Sequence, residues 1–298
     1  LISPGLLLVD KPAGMTSHDV VAKVRKLVGT RKVGHAGTLD PMATGLLVLG
    51  IESATKLLTF IVGADKTYEA TIRLGSATVT DDREGDVLSQ ATREQLATVS
   101  DADILKVIAA LSGDIQQVPS QVSAIKIDGE RAYAKVRAGE EVELKARAVN
   151  IAKFEVIGAI KHSESFIDLD VVIDCSSGTY IRALARDLGV ALGVGGHLIE
   201  LRRTRVGGFD VLNALELAEA NPDRLPLIPA LQAARACLPV LEISETDELA
   251  LRQGKRVIGK VSLPTAVSCG EKLVGVVESA GEDSLKSLVI FSDEAQNV

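Results

Sequence analysis

The sequence predicts an α+β fold around a mostly antiparallel sheet, followed by a small β-rich C-terminal domain. Three observations lead there. Strand patterns outnumber helical ones, with no regular βαβ alternation. Two segments, Lys66 to Leu74 and Phe166 to Cys175, place apolar residues at every second position, the period of a half-buried strand. Beyond Pro239 the texture changes to one helix and short β runs, which divides the chain into residues 1–238 and 239–298.

Taken in order, Gly5 to Val9 reads as a strand. Ser17 then serves as N-cap of a helix in which Val20, Val21, Val24, Leu27 and Val28 recur at helical spacing, and Gly29 closes it. Gly34 to Gly45 is a loop, Leu46 to Leu49 a buried strand, and Ala54 to Ile61 a short helix. The polar, acidic stretch Gly75 to Gly85 has no periodicity and reads as loop. Asp101 caps a helix through Leu111, and Ser123 to Ile127 is a short strand ended by Asp128-Gly129. Arg131 to Arg137 reads as helix, and Val142 to Ile157 as a long strand. Ser176-Ser177-Gly178-Thr179 caps a helix through Leu192, and His197 to Val206 is a strand. Helical fragments from Asn213 to Ala234 are punctuated by prolines. The C-terminal part offers a helix from Glu245 to Gln253 and β runs at Arg256 to Val261, Lys272 to Glu278 and Ser287 to Phe291.

Composition narrows the class. With 298 residues, 46% hydrophobic and only 3% aromatic, the chain can bury a large, aliphatic core. Cys175, Cys237 and Cys269 are far apart and fit neither a disulfide framework nor a zinc site, which points to a reducing cytoplasm. No apolar run is long enough to span a bilayer, and Leu1 to Val9 is interrupted by Pro4, unlike a signal peptide. The net charge of −7 conceals two basic stretches. One comprises Lys11, Lys23, Arg25, Lys26, Arg31 and Lys32 against Asp19; the other comprises Arg182, Arg186, Arg202, Arg203 and Arg205 against Asp187 and Glu200.

The loop before Leu46 concentrates chemistry. It carries Gly34, Gly37, Gly45 and one carboxylate, Asp40, held extended by Pro41. Asp40 can close an Asx-turn on its own backbone or serve as a reactive group. Phosphate-loop and dinucleotide fingerprints are absent, and His18, His35, His162 and His197 never fall at metal-ligand spacing. Cys175 ends an apolar strand and reads as a buried structural thiol. Tyr68 offers a flat face for stacking a base or ordinary strand packing. Arg182 offers a fork for a carboxylate or a surface helix charge. Spacing alone leaves these alternatives open.

Several motifs resolve them. Asp10-Lys11-Pro12-Ala13-Gly14-Met15-Thr16-Ser17 and Lys32-Val33-Gly34-His35-Ala36-Gly37-Thr38-Leu39-Asp40-Pro41-Met42-Ala43-Thr44-Gly45 closely resemble the TruB family of tRNA pseudouridine-55 synthases. So do Lys66-Thr67-Tyr68-Glu69-Ala70, Ser123-Ala124-Ile125-Lys126, Gly178-Thr179-Tyr180-Ile181-Arg182 and Leu201-Arg202-Arg203-Thr204, in the family's order. The resemblance implies the pseudouridine synthase fold, a large mixed, mainly antiparallel sheet with flanking helices. It implies an RNA-binding insertion around 113–150 and a PUA-like C-terminal domain. The implied reaction converts the T-loop uridine of tRNA to pseudouridine with no cofactor or metal. The N1–C1′ bond breaks, the base turns while bound, and C5 joins C1′.

By the same resemblance Asp40 is the catalytic carboxylate, Arg182 its pairing cation and Tyr68 the stacking residue. Tyr180 and Leu201 enclose the uracil, and His35 fills the space left by the flipped base. Asp82 matches a polar pocket residue, and Lys11 belongs to the first motif. Val122 stands where the family often has an aromatic. The expected partner is the T-stem-loop of tRNA, with no membrane, for a cytoplasmic monomer. An RNA-binding protein without chemistry and a glycosidase-like hydrolase are the competing classes. The first has no need of the Asp40, Tyr68 and Arg182 set, and the second wants a paired acid that the loop lacks.

Overall fold

The computed structural model describes residues 2–120, 126–127, 130–131 and 144–292. They fall into two compact units, one formed by residues 1–64 and 205–298 and the other by residues 65–204.

In the first unit the strand Gly5–Lys11 runs antiparallel to Thr44–Ile51, from Gly5 opposite Ile51 to Lys11 opposite Gly45. The short strand Val33–His35 pairs with Leu49 to Ile51. The two long strands are apolar at successive positions because both faces are covered. Leu6, Leu8, Leu46 and Val48 share one core with Leu57, Ile61 and Phe209. Leu7, Val9, Leu47 and Leu49 pack on Val20, Val21 and Val24 of the helix Ser17–Val28.

That helix is capped by Thr16, one residue before the expected Ser17. Thr16 Oγ1 accepts from Asp19 N at 3.1 Å while the Asp19 carboxylate accepts from Thr16 N at 2.9 Å, a reciprocal capping box. Gly29 ends the helix with φ 68°. The same one-residue offset recurs at the helix Asp101–Ala110, whose cap is Ser100. The helix expected over Ala54 to Ile61 divides into a 3-10 turn, Glu52–Leu57, and the helix Leu58–Val62. Ile51 gives the turn no side-chain cap, so nothing enforces α geometry at its start.

The C-terminal sheet has the order Val240–Glu242, Thr265–Cys269, Lys272–Ser279, Ser284–Ile290, Val257–Ile258. Thr265–Cys269 was not foreseen: it is short, central and buried from Thr265 through Ser268, so it shows no alternation. Ala266, Leu273 and Val276 of this sheet, and Phe291 just after its strand Ser284–Ile290, enter the same core as Leu6 and Leu8.

In the second unit the strand order is Gly196–Val206, Lys66–Leu74, Ile167–Cys175, Arg147–His162, Gly113–Gln117. Lys66–Leu74 is antiparallel to Ile167–Cys175 from Lys66 opposite Cys175 to Leu74 opposite Ile167, matching the two alternating patterns. Of the strand expected over Val142 to Ile157, residues 142–143 lie outside the described residues, residues 144–146 are not strand, and the strand runs from Arg147 to His162. Gly158, at φ 74°, lies in the register shift between Ile157 and Lys161 and lets pairing resume where the apolar alternation has faded. The stretch Gly75 to Gly85 is not all loop, because Ser76–Thr78 pairs with Val87–Gln90.

Of the strand expected at Ser123 to Ile127, the described pair Lys126–Ile127 is strand and meets Glu130–Arg131. Residues 123–125, and 132–137 of the helix expected from Arg131, lie outside the described residues. Tyr180, not the Ser176 to Thr179 run, stands at the N-cap position of the helix Ile181–Ala191, and it gives the helix no side-chain capping bond. Thr179 Oγ1 donates to Ser176 O at 2.9 Å and closes a turn ahead of it.

Candidate active site

Asp40 lies between the strands Val33–His35 and Thr44–Ile51, half-buried, in a main chain pinned on both sides. Its carbonyl accepts from Ala43 N at 3.1 Å. The preceding residue, Leu39, is bound twice by one buried hydroxyl: Leu39 N donates to Ser17 Oγ at 2.8 Å, and Ser17 Oγ donates to Leu39 O at 3.1 Å. The following residue, Pro41, accepts from Gly14 N at 2.8 Å and from Lys11 Nζ at 3.3 Å. Leu39, Met42 and Ala43 are buried and anchor the loop apolarly. Gly37 at φ 91° and Gly45 at φ 99° turn the chain into and out of the loop, in a region other residues rarely adopt.

Lys11 is fully buried, with its ammonium donating to Pro12 O at 2.9 Å and Met15 O at 2.7 Å besides Pro41 O. A buried ammonium is tolerable when its donors are filled in this way. Lys11 therefore leaves the first basic stretch as a surface charge and joins the scaffold of the Asp40 loop. His35 is half-buried on its short strand, edge-on to His18 with ring centroids 5.6 Å apart.

In the second unit Arg182 is 6% exposed, so the surface-charge reading does not hold. Its Nη1 donates to Thr80 O at 2.7 Å and stands 3.5 Å from Asp82 Oδ2. Asp82, also buried, accepts on Oδ1 from Glu84 N at 3.0 Å. The structure thus brings together two of the expected site residues, Arg182 and Asp82, and adds Thr80. Arg203 is 1% exposed and likewise leaves the second basic stretch as a surface cation.

Tyr68 is buried on the strand Lys66–Leu74, opposite Ile173. Leu201 is buried on Gly196–Val206. Tyr180, half-buried, is held through its backbone by the amide of Gln117: Tyr180 N donates to Gln117 Oε1 at 2.8 Å and Gln117 Nε2 donates to Tyr180 O at 3.1 Å. Gln117 is 2% exposed, and a lone glutamine in a short polar strand gives no sequence signal for this grip. In the sequence Ser17 carries only the signal of a helix cap.

Next to Tyr68 on the same strand face, burial pushes the Lys66 ammonium down to about 8, with the nearby Arg203 charge adding to it. Its ladder partner Cys175 is 2% exposed, and burial pushes that thiol up to about 11. A thiol so protonated at neutral pH is no nucleophile, in accord with the structural reading of Cys175. Among the described residues, no group of three or more His, Cys, Asp and Glu is arranged to hold a metal ion.

One unit thus carries a half-buried carboxylate on a rigid, glycine-flanked loop; the other, taken by itself, carries the buried guanidinium of Arg182, the buried Tyr68 and the half-buried Tyr180. Comparison with known proteins gives the chain a lineage. The family model "TruB family pseudouridylate synthase (N terminal domain)" matches residues 25–181. The model "tRNA pseudouridylate synthase B C-terminal domain" matches residues 182–221. A tRNA pseudouridine synthase B of Leifsonia xyli subsp. xyli is 56% identical over 297 residues, covering 98% of this chain and 97% of its own. A tRNA pseudouridine synthase B of Nocardia farcinica is 54% identical over 290 residues, covering 96% and 93%. A chain in the crystal structure of a Cbf5-Nop10-Gar1 complex superposes with a TM-score of 0.72 at 26% identity, covering 98% of this chain and 85% of that one. This chain belongs to the TruB family of pseudouridylate synthases.

Proposed function

We propose that this protein isomerises the T-loop uridine at position 55 of tRNA to pseudouridine, with Asp40 as the catalytic carboxylate and no cofactor. The observation that carries the reaction is the 56% identity, over nearly the whole of both chains, to a protein named tRNA pseudouridine synthase B. The choice of Asp40 is supported by the motif around it and by its loop. The main chain is fixed at Leu39 and Pro41, so a carboxylate there needs little reorganisation when substrate arrives.

The reaction breaks N1–C1′ and forms C5–C1′; the C5 proton leaves and N1 gains one. A uridine stacked in the T-loop cannot reach a half-buried carboxylate, so it flips out first. In this reading Tyr68 stacks on the flipped uracil, and Tyr180 and Leu201 enclose it. His35 occupies the vacated space, and Arg182, with Asp82 beside it, provides the counter-charge that keeps Asp40 ionised. Lys11 acts on the loop and not on the RNA. Residues 113–150 supply an RNA-binding insertion to the catalytic domain, residues 1–238, and residues 239–298 a PUA-like domain. The protein works as a cytoplasmic monomer on the T-stem-loop.

The test is incubation with unmodified tRNA, followed by carbodiimide labelling of pseudouridine and primer extension. A single new stop at the T-loop uridine is expected. Stops at other uridines only, or none, would overturn the assignment.

A further inference from the structure

One helical turn beyond Arg182, on the same face of Ile181–Ala191, stands a second arginine that the reaction has not called on. Arg186 Nη1 lies 3.3 Å from Asp81 Oδ2 and donates to Pro119 O at 3.4 Å. Its Nη2 donates to Val118 O at 2.7 Å, and Nε and Nη2 meet Asp187 Oδ1 at 2.9 and 2.8 Å. The side chain is 23% exposed, and its forked donors reach two carboxylates and two carbonyls at once. A lysine offers a point charge and cannot span that set.

The turn it grips is the one on which Arg182 rests. Asp81 is buried, holds φ 58°, and its carbonyl accepts from Leu198 N at 3.0 Å. A non-glycine residue at positive φ is costly and persists only where its surroundings hold it. Burial also pushes the Asp81 carboxyl above its ordinary range, against the pull of Arg186. Thr80 on one side of Asp81 gives its carbonyl to Arg182, and Asp82 on the other gives its carboxylate. Two arginines of one helix face therefore clasp a three-residue turn whose middle residue is strained.

We propose that Arg186, through Asp81, is a positioning residue for turnover: it fixes the 80–82 turn so that Thr80 and Asp82 present Arg182 in a single orientation. This rests on the role given above to Arg182.

The experiment is steady-state kinetics on unmodified tRNA for Arg186→Gln, Asp81→Asn, their double variant, Arg186→Lys and Arg182→Ala, with circular dichroism to check folding. Arg186→Gln and Asp81→Asn should each lower kcat about tenfold, with KM for tRNA within about threefold of wild type. The double variant should be no worse than the worse single one, because both break one contact. Arg186→Lys, which keeps a cation opposite Asp81, should fall between wild type and Arg186→Gln. If Arg182→Ala loses turnover while Arg186→Gln and Asp81→Asn keep the wild-type kcat, this proposal alone is overturned. A raised KM at unchanged kcat overturns it too, by placing Arg186 in RNA binding. Wild-type turnover by Arg182→Ala removes the role of Arg182 and this proposal with it. If all Arg186 and Asp81 variants fail to fold, the contact is structural and the proposal is wrong.

Discussion

Lys66 shows how a single buried charge reports on its surroundings. It shares a strand face with Tyr68, is almost fully buried, and its ammonium is pushed from 10.5 to about 8 by burial and then by Arg203. Below about pH 8 it is charged in both the folded and unfolded chains, and the cost of burying that charge is felt in full. Between about 8 and 10.5 the folded chain releases the proton while the unfolded chain keeps it, so its contribution to stability rises with pH. The stability of wild type relative to Lys66→Met, measured by denaturant titration, should increase from pH 7.5 to 9.5. A difference that stays constant over that interval would mean the ammonium is not depressed. Burial acts in the opposite sense on the neighbouring Cys175, where the neutral form is the thiol.

At the scale of elements, the Asp40 loop depends on groups contributed by the segment before it. Ser17 Oγ both donates to and accepts from Leu39, at 3.1 and 2.8 Å, in a position that water does not reach. Ser17→Ala leaves a buried N–H and C=O unsatisfied and should cost about 1–3 kcal/mol of stability. It should also lower kcat by more than it raises KM for tRNA, because Asp40 then loses its fixed approach. Unchanged stability and kcat would show that the loop is held by other means.

Ser17 also marks the limit of what could be read beforehand. A serine ahead of an amphipathic run signals a cap, and only the folded chain shows Thr16 capping while Ser17 turns inward to Leu39. The Asp40 loop was legible because its glycines and Asp-Pro step act locally. The strand carrying Tyr68 was legible because one face is buried and the other is not. The burial of Arg182 and the grip of Gln117 on Tyr180 depend on partners tens of residues away, and no local pattern encodes them. The hairpin Ser76–Thr78 with Val87–Gln90 is hidden in the sequence for a related reason. The acidic turn between its strands hides the pairing, and every residue of Val87–Gln90 is exposed.

For the whole molecule the distribution of charge matters more than its sum of −7. Three members of the two basic stretches, Lys11, Arg182 and Arg203, are interior groups. Lys23, Arg25, Lys26, Arg31 and Lys32 remain exposed, clustered from the helix Ser17–Val28 to the strand that carries His35. If they meet tRNA phosphates, affinity falls steeply with salt, and Lys26→Ala or Arg31→Ala should each reduce the slope of log K against log salt by about one. A slope unchanged in both variants would move the RNA contact elsewhere. Apolar surface is also shared along the chain: Phe291, near its far end, completes a core with Leu6 and Leu8 near its start.

The proposed dependence of uridine isomerisation on the Asp40 carboxylate has a direct chemical readout. It is tested most directly with a T-stem-loop RNA carrying tritium at C5 of the target uridine, whose label is released only when C5 is joined to C1′. Wild-type protein should release the label, whereas Asp40→Asn, nearly the same shape without the charge, should release none while binding the RNA within about threefold of wild type. Release of tritium by Asp40→Asn at a rate near that of wild type would remove Asp40 from the reaction.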